Sequence, residues 1–87
     1  MKTNEPSLPW NRLNISREDW TELALAFYAV AHGSRTEYDA LPALLKESPA
    51  GKLCGLYLEN PDPELLDQAG LILTGSRDWY TFLGRMF

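Results

Sequence analysis

Twice in this chain a side chain able to cap a helix stands directly before a proline, at Ser48-Pro49 and at Asp62-Pro63. Such a pair is a strong start signal. The Ser or Asp oxygen takes an orphan N–H of the first turn, and the fixed φ of proline suits the first helical position, where its missing donor costs little. Gly33 and Gly75 stand where helices would stop. This punctuation cuts the chain into short helices and predicts an all-α fold, a compact bundle of four or five short helices with an extended N-terminal arm.

Residues 1–15 read as that arm, because Pro6 and Pro9 interrupt them and Leu8, Trp10, Leu13 and Ile15 are spaced irregularly. Residues 16–87 read as a single helical domain. Ser16 looks like an N-cap, with Asp19 in a weaker form of the capping box and acids Glu18, Asp19 and Glu22 near the positive helix end. Trp20, Leu23, Ala24, Phe27, Val30 and Ala31 then recur at helical spacing, which predicts a helix over 17–32. Between Ser34 and Ser48, Pro42 forces a choice: either a helix kinks there, or Asp39 caps a short helix running to Glu47 with Pro42 in its first turn. From Pro49 to about Glu59 a helix is expected although Gly51 and Gly55 weaken it, and Leu53 to Leu58 fits a short strand as well. Pro63 to Thr74 carries Leu65, Leu66, Ala69, Ile72 and Leu73 on one face. Ser76 is expected to cap a last helix with Trp79, Phe82, Leu83 and Met86 on its apolar stripe. Ser16-Arg17 and Ser76-Arg77 are each followed by an acid, a tryptophan, a threonine and a leucine, which suggests one capping solution used twice rather than a repeat array.

Most chemistries lack their residues. Cys54 is the single cysteine and His32 the single histidine of 87 residues, so no internal disulfide forms and a four-ligand zinc site has too few donors. Cys54 lies among leucines, an environment that makes a thiol inert, and His32 at a helix end is accounted for by the dipole. The six glycines form neither phosphate-binding pattern. No catalytic residue, cofactor or metal is therefore expected, and the chain is not expected to be an enzyme. The N-terminal ten residues contain one lysine, two prolines and no apolar run, so no signal peptide and no membrane span are expected, and a cytoplasmic setting follows. Asn14-Ile15-Ser16 matches the glycosylation sequon by chance. Twelve carboxylates against eight Lys and Arg give a formal net charge of −4, the wrong sign for gripping phosphate backbones, so direct nucleic-acid binding is unlikely.

What stands in excess is aromatic: three tryptophans, four tyrosines and three phenylalanines. The stripe through Trp20, Leu23 and Phe27 leaves Tyr28 to one side, and that through Trp79, Phe82 and Met86 leaves Tyr80 likewise. Exposed Tyr and Trp commonly anchor protein interfaces. The expected partner surface comprises Trp10, Tyr28, Tyr38, Tyr80 and Phe87, together with the densest acidic segment, Glu59, Asp62, Glu64 and Asp67. The function expected is a small acidic protein-binding module, an inhibitor, adaptor or accessory protein whose partner has a basic surface. In its inhibitor form Glu18 and Glu22 join those four acids. The alternatives are a homo-oligomer, as a self-associating structural subunit, and a weak DNA-binding domain using Arg77 and Arg85.

Overall fold

A computed structural model describes residues 9–87. These residues form seven helices and no strand: α1 (Pro9–Arg12), α2 (Arg17–Ala31), α3 (Thr36–Asp39), α4 (Ala43–Lys46), α5 (Pro49–Glu59), α6 (Pro63–Thr74) and α7 (Trp79–Met86). The chain is all-α, with α2, α5, α6 and α7 as the bundle, the single turn α1 before it and the single turns α3 and α4 between α2 and α5.

The local signals act as their chemistry requires. Ser16 Oγ accepts the Asp19 N–H at 3.0 Å and Ser48 Oγ the Gly51 N–H at 3.2 Å, while Asp62 accepts the Glu64 N–H at 3.0 Å. Gly33 and Gly75 take φ of 91° and 73°, the left-handed conformation in which glycine ends a helix without steric cost. Leu53 to Leu58 are helical within α5, not a strand.

Three expectations are corrected. The part of the arm at Pro9–Arg12 is a helical turn rather than extended chain, while residues 1–8, with Pro6 and Leu8, lie outside the described residues. Around Pro42 neither a kinked helix nor an Asp39 cap forms. Proline disfavours helical φ and ψ at Leu41 before it and donates nothing, so the chain makes α3, breaks, and restarts with Pro42 as the N-cap of α4. Asp39 instead pairs with Arg35 at 3.1 Å, and that hydrogen bond holds its carboxyl below the usual range. Finally, Asp78, not Ser76, stands at the N-cap of α7 and makes no side-chain cap bond. Ser76 Oγ accepts from the Asp78 N–H at 3.1 Å, and the Ser76 N–H is itself taken by Thr74 Oγ1 at 3.1 Å. The two Ser-Arg segments share residues and not a capping geometry.

The core lies where α2 crosses α5, α6 and α7. Trp20, Leu23 and Phe27 from α2, Cys54 from α5, Leu73 from α6 and Leu83 from α7 are essentially fully buried. The indole N–H of Trp20 donates to the Leu73 carbonyl at 2.9 Å, so its one polar atom is satisfied inside the core. Trp79 packs edge-on against Phe27, with ring centroids 4.9 Å apart, and sits directly over Gly70. Its indole N–H reaches Asp67 at 3.1 Å. α7 is thereby fixed on α2 and α6. Tyr80 lies beside His32 and Phe87 beside Tyr28, so α7 packs against the C-terminal end of α2.

Candidate functional site

The last turn of α2 and the length of α7 bring Tyr28, His32, Tyr80 and Phe87 onto one face. Tyr28 lies 5.6 Å from Tyr80 and 5.9 Å from Phe87 between ring centroids. The His32 ring stands edge-on to Tyr28 at 4.5 Å and lies 5.6 Å from Tyr80. The Tyr28 hydroxyl lies over Gly84, where a β-carbon would stand 3.4 Å from it, an ordinary contact. Partial burial, with Tyr80 beside it, pushes the Tyr28 phenol above its ordinary value.

His32 joins the two helices. Its Nδ1 lies 3.0 Å from the Tyr28 carbonyl and its Nε2 3.0 Å from the Tyr80 hydroxyl. The face remains open despite these bonds. Tyr80 is 51% exposed and Phe87 43%. Three of the expected aromatics thus converge. His32 had been assigned only to the end of its helix, because nothing local connects it to a hydroxyl 48 residues away.

Trp10 and Tyr38 lie elsewhere. Trp10 packs edge-on to Trp20 at 5.5 Å with the Arg17 guanidinium over its ring, and is half-buried. The Tyr38 hydroxyl occupies the space left by Gly55, where a β-carbon would approach within 2.7 Å, and the Lys46 ammonium sits over its ring. Burial raises the Tyr38 phenol above its usual value. Both rings therefore have intramolecular partners that account for their positions.

The acidic segment divides between structure and surface. Asp62 caps α6 and Asp67 receives the Trp79 indole, while Glu59 and Glu64 are exposed and make no hydrogen bond through their side chains among the described residues. Glu64 and Asp67 line a shallow groove of about 320 Å³ with Gln68, Leu71 and Arg77. Arg85 lines a different groove, with Ser76, Asp78 and Met86. Sequence reasoning also missed the exposed leucines. Leu44 is 77% exposed because α4 is a single turn that buries only Leu45.

Cys54 is 1% exposed, and burial pushes its thiol up to about 12. Among the described residues no three His, Cys, Asp or Glu side chains are grouped to hold a metal ion, and no helix is long and apolar enough to cross a membrane. No family model, no curated protein and no solved structure matches this chain.

Proposed function

We propose that this chain is a non-catalytic, cytoplasmic protein-binding module of the inhibitor or adaptor kind, docking a partner with a basic surface through the face formed by Tyr28, His32, Tyr80 and Phe87. The observation that carries this reading is the convergence of these rings from two helices on one open surface, with Tyr80 half exposed. Tyrosines held by neighbours lose little side-chain entropy on binding and offer both ring area and a hydroxyl, which is why they serve as anchors. A formal net charge of −4, with Glu59 and Glu64 exposed, favours encounter with a positively charged partner.

The test is affinity capture from the native host with the wild-type chain, Tyr80→Ala and Tyr28→Ala, retained proteins being identified by mass spectrometry. One protein retained by the wild type and reduced at least about tenfold by each variant is expected, the range of an interface anchor. A Leu44→Ala control should retain it fully. Recovery of only the chain itself, together with a dimer in sedimentation that Tyr80→Ala dissolves, would replace this reading with a self-associating subunit.

A further inference from the structure

We infer that neutral His32 holds the Tyr80 hydroxyl proton, so that the face shows only oxygen lone pairs to a partner's guanidinium or ammonium group and holds it, and that charging His32 frees that proton, places a positive charge beside the site and releases the group. This rests on the binding-module reading above and names the contacting chemistry and its control.

Hydrogen-bond stoichiometry supplies the argument. The Tyr28 carbonyl can only accept, so the Nδ1 lying 3.0 Å from it carries the proton. A neutral imidazole has one donor and one acceptor, so Nε2 accepts, and the Tyr80 hydroxyl at 3.0 Å donates to it. The one hydroxyl proton of Tyr80 is thereby used within the protein. What the exposed phenol shows to an incoming group is its oxygen lone pairs, which call for a donor. Arg and Lys are donors only, and their cations are also attracted to the ring faces of Tyr80 and Phe87.

Charging His32 reverses this. Both ring nitrogens then donate, Nε2–H takes one lone pair of the Tyr80 oxygen, and the hydroxyl proton is freed to turn to the neighbouring Tyr28 oxygen or outward. The face now carries a positive charge and one fewer free lone pair, and the charge repels the group it held before. The inner bond to Tyr28 survives in both states, and a cation at the C-terminal end of α2 is favoured by the helix dipole, so the exchange occurs without unfolding the helix end. The titratable groups that face the ring are the Tyr28 phenol, from α2 itself, and the Tyr80 phenol, from α7. The ion pair present among the described residues, Arg35 with Asp39, does not include His32.

Two measurements on the full chain test this. In a long-range proton–nitrogen NMR correlation at pH 8, His32 should show the Nδ1–H tautomer, and the Nε2–H tautomer would overturn the inference. A short oligoarginine peptide is then titrated calorimetrically into the wild type, His32→Gln and Tyr80→Phe at pH 8 and pH 5.5, with circular dichroism verifying the fold. The expected result is binding weaker by about tenfold at pH 5.5 for the wild type, the size of one charge-assisted hydrogen bond, over and above any change in the two variants. Those variants carry the same carboxylates and so measure their share. Equal pH dependence in wild type and His32→Gln, or no binding to the wild type at pH 8, overturns the inference. Failure of the capture experiment would instead remove the binding-module reading and leave the tautomer as found.

Discussion

Glycines that look incidental in the sequence carry much of the packing. Gly51 and Gly55 count against a helix by propensity, yet a β-carbon at 51 would meet the Leu45 carbonyl and one at 55 the Tyr38 hydroxyl. Gly70 leaves the notch that Trp79 fills. Gly70→Ala is therefore expected to cost about 2 to 3 kcal/mol in chemical denaturation, because Trp79 is pinned by Phe27 and Asp67 and cannot move aside without loss. Gly84→Ala should do the opposite. Its β-carbon would make an ordinary contact with Tyr28, and the gain in helix propensity predicts stabilisation of up to about 1 kcal/mol. Cys54 titrates with a definite sign. Its folded thiol is pushed up to about 12 from 9.0, so above pH 9 the unfolded chain loses a proton that the folded chain keeps. Stability should fall as pH rises from 9 towards 12, by up to about 1.4 kcal/mol per pH unit for this one group, and Cys54→Ala should flatten the slope. Tyr28 and Tyr38, also raised, contribute with the same sign. The same burial predicts that the native thiol stays unmodified by thiol reagents at pH 8 and reacts on unfolding.

Helix starts and stops were legible wherever one residue and its neighbours three positions on decide the matter. Ser16, Ser48 and Asp62 cap as their sequence contexts predict, and Ser48→Ala is expected to cost about 1 kcal/mol, measured by thermal denaturation. Ser76→Ala should cost less than Ser16→Ala, since Ser76 serves a turn before α7 and not its N-cap. Legibility ended where two local solutions were nearly equal in energy. Around Pro42 the sequence supports either a kinked helix or one capped by Asp39, and the chain takes neither, forming two separate turns that bury Leu41 and Leu45 against the core. The strand alternative for Leu53 to Leu58 was lost for a similar reason: with Cys54 turned into the core and Tyr57 half-buried, helical spacing buries what period two would split. α3 and α4, held by one turn each, should exchange their amide hydrogens first. The central turns of α5 and α6, the most extensively packed pair, should exchange last.

At the scale of the whole molecule, the candidate face depends on a fact that no window of sequence contains. Tyr28 and Tyr80 could be read as lying off their apolar stripes, and that is why they were legible as surface residues. Their meeting required α7 to pack back against the C-terminal end of α2, a placement fixed by Trp79 over Gly70 and against Phe27. Trp10 and Tyr38 carried the same signal and found intramolecular partners, because Trp20 and Gly55 offer each ring a seat. The successive placement of Trp79 and Tyr80 has a practical consequence. One ring is sunk in the core and the next stands in solvent, 5.8 Å away between centroids and joined by a single peptide link. Displacement of the outer ring by an occupant would therefore be felt at an indole already packed against Phe27, whose emission joins that of Trp10 and Trp20 as an unlabelled optical signal of events on that surface.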